Sequence, residues 1–316
     1  MLAVQFSEHG GANVLQLIDL PTPRPGDGEV LIKVAAAGVN YADIWQRKGG
    51  GPRPVSLPYI SGYEVAGTIA AVGNGVTEVL MGQRVMAMLP SGGYAEYAVA
   101  PAAQVIPLLA ELGEAAATAL LSQGPTAVGL LNTGQYASVL VLAAAGGVGS
   151  LLVQVAKNRG IQVIAAVGDA AKKAAARASG ADVVVSYAEA DWVQQVRAAT
   201  AGLGVAASFD AVGGRVGTEA LQALAAGGTA VVYGTASGEP TPLAAQQLIG
   251  QMQVVRGYTL FGEMAKIGGY IEELLGYFRA GKLHLPVQTY PIVEVQAAQR
   301  ALEARQTQGK IVLLFE

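Results

Sequence analysis

The sequence predicts an α/β protein in which a doubly wound parallel sheet accompanies a β-rich, barrel-like part. Short apolar runs broken by Gly and Pro fill residues 1–100, which predicts an all-β segment of short strands. From residue 137 onward, apolar runs alternate with segments of helical periodicity, which predicts strands joined by crossover helices. Between these parts, residues 111–132 are rich in Ala and Leu and predict two helical pieces interrupted at Gly124-Pro125.

The parallel sheet is organised around a glycine turn between a strand and a helix. The apolar run 139–144 leads straight into an amphipathic segment, and Ala144, Gly146 and Gly149 occupy the three small positions of a variant dinucleotide fingerprint. Asp169 follows 20 residues after Gly149. Such a turn lets a phosphate approach bare N–H groups at the helix N-terminus. This context favours a dinucleotide site over a glycine loop that serves only helix–strand packing.

The strands are predicted from their apolar runs. In the first part these are 2–6, 14–19, 29–34, 64–72 and 84–88. In the parallel sheet they are 139–144, 161–167, 182–186, 205–211, 229–234 and 252–258. Helices at about 264–280 and 293–306 and a last strand 310–315 follow. The N-terminal part is the natural host for that strand, because chain ends often lie close together.

Composition restricts the class of protein. Hydrophobic residues make up 52% and charged residues 14% of the 316 residues, which argues against disorder. A net charge of −3 without a basic block argues against nucleic acid or an anionic membrane surface as a partner. The apolar stretches stop short of the ~18 unbroken residues that a spanning helix needs. Cys is absent and no signal-peptide pattern is evident, so we expect a cytoplasmic protein without thiol catalysis or disulfides.

Seven motifs, in this order and spacing, resemble the medium-chain dehydrogenase/reductase superfamily and, within it, the zinc-free quinone oxidoreductases of the ζ-crystallin-like branch. They are Pro23-Arg-Pro-Gly-Asp-Gly-Glu29, Ala37-Gly-Val-Asn-Tyr-Ala-Asp43, Gly62-Tyr-Glu-Val-Ala-Gly67, Gly92-Gly-Tyr-Ala-Glu-Tyr97, the glycine turn, Phe209-Asp-Ala-Val-Gly213 and Gly309-Lys-Ile-Val-Leu313. The predicted domains are then a discontinuous β-rich (chaperonin-10-like) catalytic domain, 1–120 and 262–316, and a Rossmann cofactor domain, 121–261.

The zinc-free branch is also favoured by ligand chemistry. Zinc-dependent alcohol dehydrogenases carry Cys and His where this chain has Asn40 and Tyr63. Only His9 and His284 remain as histidines, and we expect both to be surface or packing residues. A catalytic zinc needs three converging protein ligands, so no metal is predicted. Without a Lewis acid the acceptor must already be electrophilic, as quinones and α,β-unsaturated carbonyls are.

The resemblance implies catalytic roles for Asn40, Tyr41, Trp45 and Tyr63. Asn40 would lie beside nicotinamide and substrate; the alternative is a turn-forming Asn that ends a strand. Tyr41 and Tyr63 offer phenol hydrogen bonds or are half-buried aromatics. Trp45 stands where family members often have Tyr and keeps only an N–H donor. Asp43 is expected to orient backbone rather than to titrate.

The basic, glycine-rich segment 47–54 is interpreted either as a lid or as a solvated loop. The resemblance also implies a set of residues that contact the cofactor. They are Asn40, Gln123, Thr126, Gly146, Gly147, Val148, Asp169, Lys172, Tyr187, Tyr233, Gly234, Thr235, Ser237, Phe261 and Lys310. For Lys310, the alternative is a surface strand residue.

The choice between NADPH and NADH depends on three residues. Lys172 and Tyr187 match the positions that contact a 2′-phosphate in NADPH-using relatives. Asp169 replaces the hydroxyl residue of those relatives and suits a free ribose, which favours NADH. Alternatively, Asp169 caps a helix over 170–179. The family resemblance favours NADPH.

The expected function is a metal-free, NAD(P)H-dependent reductase of quinones or conjugated enones. The apolar strand 252–258 is expected to pair two sheets in a homodimer. The alternative function is a non-catalytic dinucleotide-binding protein with a structural or sensing role.

Overall fold

The computed structural model describes residues 1–51 and 54–315, so Pro52 and Arg53 of the predicted lid or loop lie outside the described residues. The chain divides into two compact units. The first combines Met1–Ser122 with Pro286–Glu316, and the second is Gln123–Leu285.

The first unit begins with eight strands and two helices. They are β1 (Leu2–Phe6), β2 (Gln16–Asp19), β3 (Glu29–Val39), α1 (Tyr41–Arg47), β4 (Tyr59–Ile60), β5 (Glu64–Val72), β6 (Arg84–Met88), β7 (Tyr97–Pro101), β8 (Val105–Pro107) and α2 (Glu114–Ala117). The all-β prediction for this segment is wrong at α1. A polar residue before the helix and an acidic one in its first turn, Asn40 and Asp43, start this helix at the end of β3.

The second unit contains the elements that follow. They are α3 (Gln123–Leu131), β9 (Ser138–Leu142), α4 (Gly147–Asn158), β10 (Gln162–Val167), α5 (Lys173–Ala178), β11 (Val183–Ser186), α6 (Trp192–Ala198), β12 (Val205–Asp210), α7 (Gly214–Gln222), β13 (Leu224–Val232), α8 (Ala245–Gln251), β14 (Val254–Gly257) and α9 (Ile267–Arg279). Gly124-Pro125 does not interrupt α3, because Pro is tolerated in the first turn of a helix.

The second unit is built on the predicted six-stranded parallel sheet. Its strand order is β11-β10-β9-β12-β13-β14, with the order reversing beside β9. The central strand β9 is buried along most of its length, as an apolar run covered by helices on both faces must be. The Rossmann prediction is confirmed.

The chain then returns to the first unit with β15 (Val287–Pro291), α10 (Val295–Glu303) and β16 (Lys310–Leu314). There β16 pairs antiparallel with β3 in a seven-stranded sheet of order β15-β16-β3-β5-β6-β8, with β7 paired to β3. The N-terminal part therefore hosts the last strand, as predicted.

The boundaries of the two units differ from the predicted domains in two segments. Residues 121–122, expected in the cofactor domain, belong to the first unit. Residues 262–285, expected in the catalytic domain, belong to the second unit, because α9 packs against α3. The assignment of catalytic and cofactor domains stays a prediction. Within the described residues, no helix is long and apolar enough to cross a membrane.

Candidate active site

The first unit brings three distant polar residues together at the middle of its larger sheet. Strand β3 lies between β5 and β16, and Asn40 follows directly on its last residue. Glu64 begins β5 and Lys310 begins β16. Since both neighbours run antiparallel to β3, their first residues lie beside its end. The topology therefore gathers Asn40, Glu64 and Lys310.

Both polar atoms of the Asn40 amide are bonded there. The Lys310 ammonium donates to Asn40 Oδ1 at 2.8 Å, and Asn40 Nδ2 donates to Glu64 Oε2 at 2.8 Å. Lys310 Nζ also lies 2.5 Å from Glu64 Oε2. Lys310 and Glu64 are 1% and 0% exposed, and Asn40 is 7% exposed. Lys310 is thus not a surface residue, and its ammonium is held in place by hydrogen bonds to Asn40 and Glu64.

The Asp43 side chain helps to hold the turn at Asn40. Asp43 Oδ2 accepts from the Asn40 backbone N–H at 2.8 Å and from the Tyr94 hydroxyl at 2.8 Å. Asp43 therefore orients backbone, as predicted. Burial raises the pKa of its carboxyl to about 7, with these hydrogen bonds and the Lys310 charge acting in the opposite direction.

Gly38 provides the space that the buried pair occupies. A Cβ at this position would lie 2.2 Å from Glu64 Oε2 and 2.7 Å from Lys310 Cε. On β3, Gly38 pairs with Val312 of β16, and its neighbour Ala37 pairs with Val65 of β5. No other amino acid fits there without displacing one of the charged side chains.

The aromatic candidates lie on or near α1. The rings of Tyr41 and Trp45 pack edge to face with centroids 5.7 Å apart. Tyr41, Trp45 and Tyr63 are all half-buried. Half-buried aromatic rings fit both interpretations offered for the two tyrosines, and their catalytic roles stay predictions.

The segment 47–54 differs from the prediction at its first residue. Arg47 ends α1, is fully buried and bonds Glu303 Oε2 of α10 at 2.7 Å, so it belongs to no lid and no solvated loop. Lys48 reaches the other Glu303 oxygen at 2.5 Å. The lid and loop interpretations of the remaining residues stay predictions.

In the second unit, the glycine turn is closely packed against its neighbours. Gly146 precedes α4 with an extended backbone, and a Cβ at Gly147 would lie 2.1 Å from Gln123 Oε1. Gln123 is 9% exposed, and its Oε1 has no hydrogen-bond partner among the described residues. A Cβ at Gly149 would lie 2.4 Å from Ala143 O, so helix and strand approach closely. Val148 and Thr126 are half-buried.

Asp169 is a cap, as the alternative interpretation held. Its Oδ1 accepts from Ala171 N at 2.9 Å at the start of a 3₁₀ turn that continues into α5. Burial lowers the pKa of Lys172, and the Asp169 charge acts against that shift. Tyr187 packs over Gly168, where a Cβ would lie 2.9 Å from its hydroxyl oxygen. Lys173 is paired with Glu189 at 2.6 Å.

The remaining cofactor candidates lie after β13 and after β14. Tyr233, Gly234, Thr235 and Ser237 are half-buried, and Ser237 Oγ bonds the backbone of Glu239. Burial raises the pKa of Tyr233 above its ordinary value. Phe261 is half-buried in a 3₁₀ segment that follows β14. Their contacts with a cofactor stay predictions.

Histidines and acidic residues do not converge. Both His9 and His284 are exposed. Over residues 1–51 and 54–315, the structure shows no group of three His, Asp or Glu side chains suited to a metal ion.

Sequence reasoning missed three residues of the Asn40 site, namely Glu64, Tyr94 and Gly38. A signal for the first was available: Glu64 and Lys310 are opposite charges that each begin a strongly apolar strand. An ionisable residue in such a position is usually paired when it is buried. No sequence signal linked Tyr94 to Asp43.

Comparison with known proteins places these features in a family. Residues 26–110 match the alcohol dehydrogenase GroES-like domain and residues 147–275 the zinc-binding dehydrogenase domain. A probable quinone oxidoreductase of Schizosaccharomyces pombe is 37% identical over 99% of this chain and 97% of its own. A 2-haloacrylate reductase of Burkholderia is 32% identical over 99% of both. The crystal structure of Escherichia coli quinone oxidoreductase complexed with NADPH matches with a TM-score of 0.93 at 30% identity, covering 100% of both chains.

The second unit contains a six-stranded parallel sheet with a glycine turn, and the first is a discontinuous unit that contains Asn40, Glu64 and Lys310. These features define a medium-chain dehydrogenase/reductase. Asn40 and Tyr63 stand where the zinc enzymes of this superfamily carry Cys and His. Within the superfamily, the chain belongs to the zinc-free quinone oxidoreductases.

Proposed function

We propose that this chain reduces quinones and conjugated enones with NADPH and without a metal ion. The observation that carries the proposal is the setting of Asn40. At a position where zinc enzymes place a thiolate, the chain holds a neutral amide between a buried ammonium and a buried carboxylate. The names of the relatives, quinone oxidoreductase and 2-haloacrylate reductase, agree with acceptors that need no Lewis acid.

The residues of the glycine turn fit a dinucleotide. A side chain at Gly147 would fill the space in front of Gln123, and the backbone N–H groups at the start of α4 suit a pyrophosphate. NADPH, when bound, supplies the hydride. We assign the pyrophosphate to Gly146, Gly147 and Val148. Gln123, Thr126, Tyr233, Gly234, Thr235, Ser237 and Phe261 would contact other parts of the cofactor.

We favour NADPH over NADH because of the way Asp169 is used. Its Oδ1 is bonded to Ala171 N, so part of the carboxylate's charge is neutralised by the backbone of its own turn. Lys172 follows in the same turn, and Tyr187 packs beside Gly168. An ammonium and a phenol at this turn suit a 2′-phosphate.

The chemistry assigned to the first unit is stabilisation of charge on the acceptor oxygen. A positioned N–H of the Asn40 amide donates where the negative charge develops, which is worth most in a site without water. Tyr41, Tyr63 and Trp45 supply further donors and apolar surface around the acceptor. Because Lys310 is engaged with Asn40 and Glu64, its role is assigned to this charge network instead of to the cofactor phosphate.

A homodimer through strand 252–258 is part of the proposal. Strand β14 is the edge of the parallel sheet, and its pairing partner is β13 alone. Val254 of β14 is exposed (49%), and Ile249 of α8 (78%) and Met252 directly after that helix (72%) are exposed just before the strand. An exposed apolar edge strand favours pairing with a second copy across a two-fold axis. We place the protein in the cytoplasm, with no nucleic acid or membrane as a partner.

The test is NADPH oxidation by purified protein with phenanthrenequinone and with cyclohexenone as acceptors. We expect turnover with both, unchanged by a strong chelator, and at least about tenfold tighter binding of NADPH than of NADH, roughly 1.4 kcal/mol. Tight NADPH binding with no turnover of any acceptor in a broad panel would favour the non-catalytic alternative. Loss of activity with the chelator would refute the metal-free reaction.

A further inference from the structure

The partners of the Asn40 amide determine which way the amide faces. An ammonium can only donate and a carboxylate can only accept. Rotating the amide by half a turn would place its NH₂ against Lys310 and its oxygen against Glu64, which is repulsive at both ends. The orientation of the Asn40 amide is therefore fixed. Lys310 and Glu64 leave one N–H on Asn40 Nδ2 and one lone pair on Asn40 Oδ1 unused.

The ion pair that fixes the amide is costly to bury. Lys310 and Glu64 are almost fully removed from water, and Glu64 Oε1 has no hydrogen-bond partner among the described residues. Desolvation of such a pair often cancels its attraction, so apolar residues of similar volume would stabilise the fold as well or better. Stability alone does not account for these two charges, and what they add is orientation.

The ammonium also polarises the amide. Donation to Asn40 Oδ1 draws electron density from the amide nitrogen, because hydrogen bonds in a chain strengthen one another at low dielectric. Glu64 accepts at the amide nitrogen and acts in the opposite direction on the remaining N–H of Asn40, so the main effect of the pair is to fix where that N–H points. Asp43 holds the start of α1 by accepting from the backbone N–H of Asn40.

We propose that Lys310 and Glu64 are positioning residues that hold the Asn40 amide in one orientation during reduction of the acceptor. This inference rests on the proposed role of Asn40. Neither residue touches the acceptor; both act through the amide.

The test is a mutant cycle that combines Asn40→Ala with Glu64→Gln/Lys310→Met. The double variant removes both charges together and leaves no buried ion without its partner. For each protein, kcat and KM for phenanthrenequinone, the Kd of NADPH and the urea midpoint are measured. We expect the double variant to lose about tenfold in kcat with little change in the Kd of NADPH, and the triple variant to be no slower than Asn40→Ala.

The outcomes separate positioning from structure and from the proposed function. Losses that multiply in the triple variant, or a wild-type kcat in the double variant, would overturn the positioning role alone. A wild-type kcat in Asn40→Ala would remove the role of Asn40 and the inference with it. If wild-type protein shows no turnover at all, the proposed function itself fails.

Two further variants address failure of the double variant to fold and a general effect of lost stability on kcat. If the double variant does not fold, Glu64→Gln/Lys310→Gln keeps a polar side chain at both positions and removes both charges; its smaller loss in kcat must vanish in the Asn40→Ala background. Glu114→Gln is the matched control, because it weakens the 2.7 Å Arg84–Glu114 pair of the same unit. It should shift the urea midpoint without changing kcat.

Discussion

Replacing Gly38 with Ala places a methyl group against the buried ion pair. The added Cβ would stand 2.2 Å from Glu64 Oε2, 2.7 Å from Lys310 Cε and 2.9 Å from Lys310 Nζ. Ordinary van der Waals contact begins near 3.4 Å, so the carboxylate oxygen must retreat by about 1.2 Å. The backbone of β3 cannot move away easily, because it is paired on both sides.

The expected loss of stability follows from these distances. Overpacking a well-filled core costs about 1–3 kcal/mol. Separating a buried ion pair so that one charge loses its partner costs about 3–5 kcal/mol. The methyl group meets both partners of the ion pair, so part of the cost of separating the pair adds to the cost of overpacking. We therefore expect Gly38→Ala to lower the free energy of unfolding by about 3 kcal/mol or more.

Urea denaturation followed by circular dichroism measures this change. Gly113→Ala is the control in the same unit, because a Cβ at Gly113 would meet no atom within 4 Å and the residue has a φ of −73°. It should change stability by less than about 1 kcal/mol. A Gly38→Ala protein as stable as the control would show that the pair can shift without cost, and the account of Gly38 would be wrong.

Three further predictions concern other parts of the molecule. The methyl group of Gly147→Ala would meet only the flexible end of Gln123, so we expect near-normal stability. Because this turn is assigned to the pyrophosphate, NADPH should bind at least about tenfold more weakly in a fluorescence titration. Unchanged affinity would remove this turn from the cofactor site. Burial raises the pKa of Asp43 to about 7, so the folded protein holds a proton that the unfolded chain releases above pH 3.8. The stability of the wild type relative to Asp43→Asn should therefore fall as pH rises from about 4 to about 7, and a constant difference in urea midpoint would contradict this. Tyr258→Phe should be neutral or stabilise by up to about 1 kcal/mol in the same assay, because the buried hydroxyl has no hydrogen-bond partner among the described residues; a clear loss would reveal a partner.

The parallel sheet was predictable because its signals are local. An apolar run, a glycine turn and an amphipathic helix lie within a few tens of residues, so periodicity alone predicts β9, α4 and β10. Helix α1 was missed because it spans seven residues directly after a long strand. Its cap signal, Asn40 followed three residues later by Asp43, was present in the sequence.

The setting of Asn40 was not predictable in the same way. Lys310 was open to two interpretations, cofactor contact or surface, because its partner Glu64 lies 246 residues away in the chain. Arg47 was placed in a loop for a similar reason, since Glu303 is 256 residues away. A buried ion pair depends on which strands and helices become neighbours, and single-sequence periodicity carries no information about that.

The distance between Asn40 and Lys310 along the chain also governs how the protein matures. The ribosome adds 270 residues after Asn40 before it reaches Lys310. At ~10 residues per second this takes roughly half a minute, during which Gln123–Leu285 is complete and can fold as one contiguous piece. The amide of Asn40 gains its ammonium partner only when β16 emerges. A nascent polypeptide released before that strand would lack this setting, so the chemistry assigned to Asn40 becomes possible only after β16 has been made.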